Sequence, residues 1–190
     1  MKIASKQLRV IMNRGASVVG CGEIAFPPIP RDGEVRFYKR DRPSFGFLSN
    51  FHPAPVTIDD RLWPHTEAFY QSRKANNPDY HTRLLQNHKP SWSKYVGDSR
   101  IGHPKIAKQS WFRKRPQDLR DDWDSIKLDV MRVALDAKFR QHSSLRRSLL
   151  ETLPADIVED SASDFFWGVG SDGSGENWLG RLLMEVRASL

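Results

Sequence analysis

Apolar residues recur at helical spacing in the second half of the chain and predict helices there. The longest prediction covers residues 119–140, where apolar positions share one face and charged residues occupy the other. A shorter helix is expected after a cap at Ser143 or Ser144, and the last helix is expected to follow Asn177. The inward residues predicted for these helices are, in chain order, Trp123, Ile126, Val130, Val133, Ala134 and Ala137; Leu145, Leu149 and Leu153; and Leu179, Leu182, Leu183 and Val186.

Shorter patterns with a period of two residues predict strands. Residues 35–38 alternate between apolar and polar side chains, as in a half-buried strand. Asp59-Asp60 is predicted to turn a hairpin between residues 56–58 and 61–63, and Ile157-Val158 is predicted to form a further short strand.

Two short helices are predicted between these strands and the long helix. Thr66 is expected to cap a helix that begins at Glu67, and another is expected from Pro78 to Leu85. Strands and helices do not alternate in the manner of a parallel sheet. The sequence therefore predicts an α+β fold that is mainly α, as a compact single domain with a few short strands.

Residues 1–33 differ in composition from residues 34–190. Glycines and prolines separate short β-branched pieces in this segment, which is typical of an arm and not of a second domain. We therefore expect an N-terminal arm over 1–33 and one domain over 34–190, with the arm dispensable for chemistry.

The charge balance favours an anionic partner. The chain of 190 residues contains 30 lysines and arginines against 23 acidic residues, a formal net charge of +7. Phosphate groups on a small substrate would satisfy this balance as well as nucleic acid would. Residues 111–115, Trp-Phe-Arg-Lys-Arg, mix aromatic and basic side chains, which fits phosphate or nucleic-acid contact, although a solvated helix end is the simpler interpretation.

Several classes of site are disfavoured by residue counts and spacing. Cys21 is the single cysteine, which excludes an intrachain disulfide and fits a reducing compartment. No apolar run reaches transmembrane length, so no membrane partner is expected and the predicted location is cytoplasmic. The histidines lack metal-ligand spacing and no G-x-S-x-G string is present, so neither a metal, another cofactor nor a serine nucleophile is predicted.

A carboxylate, an amide and an amine recur at helical spacing after an aromatic segment. Glu67, Gln71 and Lys74 occupy positions i, i+4 and i+7 and so share one stripe. Such a stripe can bind a sugar and perform acid/base chemistry, whereas the alternative is an ordinary solvated helix face. The neighbouring Trp63 and Tyr70 favour a site, because a fully solvated face is rarely so aromatic.

A glycine-rich loop near the end of the chain is the second candidate. Gly168, Gly170 and Gly173 match the spacing of a dinucleotide loop, but no βαβ unit can surround them. The loop's backbone N–H groups could instead bind a phosphate just before the last helix, with Asn177 also contacting substrate. Trp167 is predicted to stack on a base beside them, and the alternative is a tight turn that needs glycine only for positive φ.

Five ordered blocks of residues carry a specific resemblance. They are Gly46-Phe-Leu-Ser-Asn-Phe51; Trp63 with Glu67-x-x-x-Gln71-x-x-Lys74; Trp123 with Met131, Leu135 and Lys138-Phe139; Asp164 with Trp167-Gly-x-Gly170; and Gly175-x-Asn177-x-Leu-Gly180-x-Leu-Leu-Met184. From Val35 to Leu190 the chain resembles the YbiA/NADAR family of N-glycosidases. The resemblance implies a compact, mainly helical fold and cleavage of a bond between ribose C1′ and nitrogen.

The resemblance also implies residue roles. It places the family's essential glutamate at Glu67 and its site tryptophans at Trp123 and Trp167. Trp123 is therefore expected to line the pocket from the core side. Lys74 belongs to the same helix motif and is grouped with Glu67 as catalytic.

One position departs from the family pattern. Val169 stands where relatives associated with riboflavin intermediates often carry an acid. If that acid takes part in catalysis, Asp164 or Asp172 is expected to replace it, or the substrate differs. The substrate implied is a small phosphorylated ribosyl compound, either an early phosphoribosyl-pyrimidine of riboflavin synthesis or an ADP-ribosylated guanine, which would bring ADP-ribosylated nucleic acid in as a partner.

The predicted chemistry is coherent with these side chains. Glu67 can offset the positive charge of an oxocarbenium-like transition state or activate water, and Asn50, Gln71 or Lys74 can bind or protonate the leaving base. A Schiff base formed by Lys74 or Lys39 is the covalent variant. A non-catalytic nucleotide or ADP-ribose binding module is the further alternative.

Overall fold

The computed structural model of the protein describes residues 33–41, 44–97 and 120–190. Within these ranges the strands are β1 (Glu34–Phe37), β2 (Val56–Ile58), β3 (Arg61–Trp63) and β4 (Asp156–Glu159), and a 3₁₀ turn spans Gly46–Leu48. The helices are α1 (Thr66–Ser72), α2 (Pro78–Gln86), α3 (Pro90–Gly97), α4 (Trp123–Gln141), α5 (Ser143–Leu150) and α6 (Trp178–Ala188). The prediction of a mainly helical α+β fold is confirmed. The predicted N-terminal arm (1–33) lies outside the described residues except for Gly33, and the segment 111–115 lies wholly outside them.

The strands form two separate pairs. β2 and β3 form the predicted antiparallel hairpin, and Asp59 and Asp60 both adopt positive φ, as the two central residues of a type I′ turn must. β1 and β4 pair in parallel, with Val35 opposite Ile157. This second pairing joins parts of the chain that are far apart in sequence, and no local sequence pattern indicates it.

Helix α1 begins one residue earlier than predicted, and its cap is different. Nδ1 of His65 accepts a hydrogen bond from the Ala68 N–H at 3.0 Å, so His65 and not Thr66 is the N-cap. The Thr66 hydroxyl instead donates to the Asn50 carbonyl at 2.9 Å. This bond connects the start of α1 to the loop after the 3₁₀ turn, which contains Asn50.

Helix α4 occupies the centre and contacts α1, α5, α6 and β2. It starts at Trp123 and not at residue 119, and its buried face is wider than the predicted stripe. Met131 and Leu135 are buried, whereas Ile126 and Val133 are only half-buried. Val130, Ala134 and Ala137 are buried as predicted, but a helix packed on several sides buries more than one stripe, so periodicity found only part of the face.

Lys138 of α4 is fully buried, although lysine is rarely so. Its Nζ donates to the carbonyls of Phe47 at 2.6 Å and Ser49 at 2.9 Å. Burial lowers its pKa to about 7. The Lys138 amine therefore holds the loop that leads to Asn50 against α4 through these two hydrogen bonds.

Helix α2 lies where it was predicted, and the other helices confirm some expectations and correct others. The inward residues predicted for α6 are buried as expected. The N-cap of α5 is His142, not Ser143 or Ser144, and Leu153 lies beyond the helix with 56% of its surface exposed. α3 was not predicted, although Pro90 at its first position is a helix-start signal. Among the described helices, none has both the length and the apolar character needed to cross a membrane.

Candidate active site

A cavity of about 200 Å³ lies between α1, the end of α3, β4 and the loops that follow the 3₁₀ turn and β4. Its wall includes six of the predicted site residues, namely Asn50, Glu67, Gln71, Lys74, Asp164 and Trp167. The other predicted residues, Trp123, Gly168, Gly170, Asp172 and Asn177, do not contribute to this wall. The structure thus brings Glu67, Gln71 and Lys74 together with Asp164 and Trp167 of the loop that follows β4.

Glu67 is buried in this wall and held by two amides. Nδ2 of Asn50 donates to its Oε2 at 2.5 Å, and Nε2 of Gln71 donates to its Oε1 at 2.7 Å. The first donor comes from the loop fixed by Lys138 and the second from the next turn of α1. Both carboxylate oxygens are therefore oriented from two elements.

The charge state of Glu67 is set by opposing influences. Burial raises its pKa, while the amide of Gln71, the Lys74 and Lys94 ammonium groups and the amide of Asn50 act in the opposite direction. Amide donors and cations stabilise the carboxylate form, because each interacts with the negative charge. Burial is the largest of these influences, so the pKa of Glu67 is raised overall.

The two amides have oxygens left over. Oδ1 of Asn50 and Oε1 of Gln71 are buried and have no hydrogen-bond partner among the described residues. A buried polar atom without a partner costs about 1–3 kcal/mol. Since both residues line the cavity, a bound ligand with donor groups is the natural partner for these oxygens.

Lys74 lies just beyond the end of α1, yet its side chain still reaches the cavity. Its Nζ donates to the Gly97 carbonyl at 2.9 Å and lies 5.6 Å from the centre of the Tyr70 ring and 5.5 Å from that of Trp123. These contacts hold the ammonium group near Glu67. The predicted stripe is thus real, although only its first two members are helical.

Three aromatic rings form one side of the site. Tyr70 packs edge-on against Trp167, with centroids 5.6 Å apart, and against Trp123, with centroids 5.0 Å apart. Trp167 lines the cavity, whereas Trp123 supports Tyr70 and Lys74 from behind. Trp123 is not among the residues that line this cavity, and it contacts the site through the Tyr70 ring and the Lys74 ammonium group.

Asp164 fixes the position of Trp167. Its Oδ1 accepts hydrogen bonds from the backbone N–H groups of Phe166 at 3.1 Å and Trp167 at 2.8 Å. The same carboxyl group faces the cavity. Asp172, the other alternative acid, has an exposed side chain that accepts hydrogen bonds from Ser174. Of the two predicted acids, only Asp164 is placed to act at the site.

The glycine loop supports the site without lining it. A Cβ on Gly168 would lie 2.7 Å from the Glu159 carbonyl oxygen, and Gly170 has a φ of 70°, so both glycines are required by packing or backbone geometry. The side chain of Asn177 accepts from the Glu159 N–H and donates to the Ile157 carbonyl, both at 2.9 Å.

The start of α6 is also satisfied internally. The N–H groups of Trp178 and Leu179 donate to the carbonyls of Phe166 and Trp167, both at 3.1 Å. These donors are the ones that would bind an anion at a helix N-terminus. These two N–H groups at the start of α6 are therefore engaged within the protein, which fits the turn interpretation, and phosphate contact by the N–H groups of the loop itself stays a prediction.

Two residues of the wall were missed by sequence reasoning. Glu159 ends β4, and Lys94 lies on the unpredicted helix α3. α3 approaches α1 so closely that a Cβ on Gly97 would lie 1.9 Å from Oε1 of Gln71. Only the starting proline of α3 gave a signal, and nothing local distinguishes Glu159 from other acids at strand ends.

A second cavity of about 320 Å³ adjoins the first. The two share the wall residues Ser49, Phe51, Lys94, Glu159 and Asp164. The second cavity adds two cationic side chains, Lys39 and Arg40, from the segment after β1. Asp41 adds an acidic side chain to Glu159 and Asp164, so this cavity contains both positive and negative charges. Within the described ranges no group of His, Cys, Asp and Glu side chains is arranged to hold a metal ion.

Residues 36–190 match the NADAR domain family. The chain belongs to this family. The match runs from within β1 past the end of α6 and so includes every wall residue of both cavities.

Relatives agree with this assignment. N-glycosidase YbiA of Escherichia coli K12 is 36% identical over 162 residues, which make up 85% of this chain and 91% of that protein. A riboflavin biosynthesis protein of Vibrio vulnificus is 33% identical over 156 residues, which make up 82% of this chain and 38% of that protein. The NMR structure of E. coli YbiA superposes with a TM-score of 0.70 at 35% identity, covering 85% of this chain and 86% of the other.

Proposed function

We propose that this NADAR-family protein hydrolyses the bond between C1′ of a phosphorylated ribose and a nitrogen of its base. Its family and its N-glycosidase relatives make it a hydrolase that acts on N-glycosyl bonds. The observation that carries the proposal is a buried carboxylate, Glu67, held by two amides whose own oxygens remain unpaired at a cavity.

The reaction requires stabilisation of positive charge at C1′. Departure of the base leaves an oxocarbenium-like sugar, which a nearby carboxylate stabilises electrostatically. Glu67 has the buried, oriented oxygens that this role needs, and it can then accept a proton from the attacking water. The sugar hydroxyls are suitable donors for the unpaired oxygens of Asn50 and Gln71.

The base is expected to lie beside Trp167. This ring is held by Asp164 and Tyr70 and faces the cavity. Stacking of a flat heterocycle on an immobilised ring orients C1′ toward Glu67 and lowers the entropic cost of the reaction.

The phosphate is expected in the adjoining cavity. Lys39, Arg40 and Lys94 supply positive charge there, whereas the N–H groups of Trp178 and Leu179 at the start of α6 already donate to backbone carbonyls. This placement moves the proposed phosphate contact from the loop to the segment after β1.

A phosphoribosyl-pyrimidine is the preferred substrate. Support comes from the Vibrio vulnificus relative named for riboflavin biosynthesis, which matches 82% of this chain. An ADP-ribosylated guanine is the second candidate, since the adjoining cavity provides room beyond a single ribose phosphate.

The proposal is tested by incubating the protein with ribosylated bases and detecting free base by mass spectrometry. Both candidate substrates are offered separately and in competition, each with and without its phosphate. We expect release of base, a lower KM for the phosphorylated form, and a KM that rises with salt as charges are screened over about 10 Å at 0.1 M. Equal turnover of phosphorylated and dephosphorylated forms would rule out the phosphate subsite, and no release from any ribosylated base would rule out the activity.

A further inference from the structure

Glu159 is held rigidly at the end of β4. Its N–H donates to Oδ1 of Asn177 at 2.9 Å, and its carbonyl accepts from the N–H groups of Val169 at 3.0 Å and Ser161 at 2.9 Å. Three segments therefore fix the backbone of one acidic residue. Such support is typical of a side chain whose position matters.

The side chain of Glu159 stands on the wall that the two cavities share. Its Oε2 is buried and has no hydrogen-bond partner in the part of the chain that the structure describes. Glu67 comes from α1 and Glu159 from β4, so two carboxyl groups face the same cavity from different elements. Two carboxyl groups around one scissile bond are the usual equipment of glycoside hydrolysis.

The surroundings of the two carboxyl groups differ in a way that separates their roles. Both oxygens of Glu67 accept hydrogen bonds from amides, which favours the charged form, whereas Oε2 of Glu159 accepts none from the described residues. Burial, and next the negative charge of Asp164, raise the pKa of Glu159 to about 8; Glu67 acts in the same direction, and Lys94 opposes them. Lys39, Arg40 and Asp41 face the adjoining cavity from the segment after β1.

We propose that Glu159 is the general acid that protonates the leaving base, while Glu67 acts at C1′. This role rests on the proposed N-glycosidase function and names a residue for its proton-transfer step. Two carboxyl groups whose hydrogen-bonding surroundings differ can divide acid and base chemistry between them in one site.

The step balances without any further reactant. The C1′–N bond breaks with its electron pair going to nitrogen, and the proton of Glu159 goes to the departing base. Water adds to C1′ and gives its proton to Glu67. Exchange with solvent then returns a proton to Glu159 and removes one from Glu67, so the net reaction is hydrolysis.

Leaving groups of different basicity separate an acid from a structural residue. A ribosyl-pyrimidine phosphate needs a proton on its leaving group, whereas a 4-nitrophenyl ribofuranoside phosphate releases a phenolate without one. Glu159→Gln should lose about 100-fold or more in kcat on the first substrate and less than about 10-fold on the second. Glu67→Gln should fail on both, and Glu151→Gln, at an exposed position, is the matched control.

The outcomes distinguish this role from the proposed function. Equal losses on the two substrates, or near-normal cleavage of the ribosyl-pyrimidine by Glu159→Gln, would overturn the acid role alone. Failure of the unaltered protein to cleave any ribosylated base would overturn the proposed function and this role with it.

A measurement without substrate adds a second check. The folded protein keeps the Glu159 proton up to about pH 8, whereas the unfolded chain releases it near pH 4.5. Between these pH values the folded state therefore binds more protons than the unfolded state. The free energy of unfolding should therefore fall as pH rises across that window. Glu159→Gln should remove part of this fall, and an unchanged slope would show that Glu159 is not held protonated and so would overturn the role.

Discussion

Two regions near the cavity differ in what they contribute to it, the α1 stripe of Glu67, Gln71 and Lys74 and the glycine loop of residues 168–177. The α1 stripe points three polar side chains into the cavity. The loop binds to β4 and to the start of α6, and only Trp167, just before it, reaches the wall. Both regions carry many polar or glycine residues in sequence, yet only one presents them to a ligand.

The difference lies in which hydrogen bonds are complete. Oδ1 and Nδ2 of Asn177 both form hydrogen bonds with the backbone of β4, so the polar atoms of this side chain already have partners within the protein. The amides of Asn50 and Gln71 each use the nitrogen and leave the oxygen unpaired at the cavity. Buried polar groups that are left incomplete indicate a ligand, whereas completed ones indicate structure.

The largest expected effect is on the α1 stripe. Glu67→Gln removes the charge that stabilises the transition state, and kcat should fall about 100-fold or more. The fold should persist, because the Asn50 amide can rotate to bring its unpaired oxygen to the new amide. Steady-state kinetics with circular dichroism checks this, and turnover near that of the unaltered protein would remove Glu67 from the mechanism.

Trp167 tests the one point where the loop region meets the cavity. Trp167→Ala should weaken substrate binding by about 1–3 kcal/mol if the ring stacks on the base. Trp123→Phe is the matched control, since Trp123 supports Tyr70 but does not line the cavity. Calorimetric titration with product or inhibitor measures both, and an equal loss in the two variants would contradict the distinction.

Asn177 tests the loop as a support. Asn177 has a φ of 54°, so Asn177→Gly keeps the backbone conformation and deletes only the two side-chain hydrogen bonds. At about 0.5–1.5 kcal/mol for each bond, the free energy of unfolding should fall by about 1–3 kcal/mol. Urea denaturation measures the loss, and KM should not change; a raised KM with unaltered stability would return Asn177 to the binding site.

The last prediction concerns the pH dependence of stability at Lys138, which supports the Asn50 side of the cavity. The folded state releases the Lys138 proton near pH 7 and the unfolded chain near 10.5, so the unfolded chain binds more protons in between. Stability should therefore gain a contribution that rises with pH in that window. Lys138→Met should remove this rise, which denaturation at several pH values would detect; an identical pH slope in the variant would contradict the lowered pKa.

Local patterns were enough for much of the architecture. The hairpin at Asp59-Asp60 and the inward face of α6 follow from period-two and helical spacing, and both are as predicted. The α1 stripe was also readable, because residues at i and i+4 share a helix face whatever the rest of the fold does. Helix caps were less predictable. His65 and not Thr66 caps α1, because its Nδ1 accepts a hydrogen bond from the Ala68 N–H, and residue spacing does not indicate this bond.

By itself, the sequence determined the mainly helical class, the α1 stripe and the family, because local periodicity and ordered motifs are properties of the chain alone. Only the tertiary structure decided that Glu159 and Lys94 line the same cavity as Glu67, that Asn177 hydrogen-bonds to β4, and that Trp123 contacts Tyr70 without lining the cavity. Those outcomes depend on contacts between residues far apart in sequence, such as the parallel pairing of β1 with β4. Burial and hydrogen-bond completion, which separate a site from a support, exist only once these distant segments have packed together.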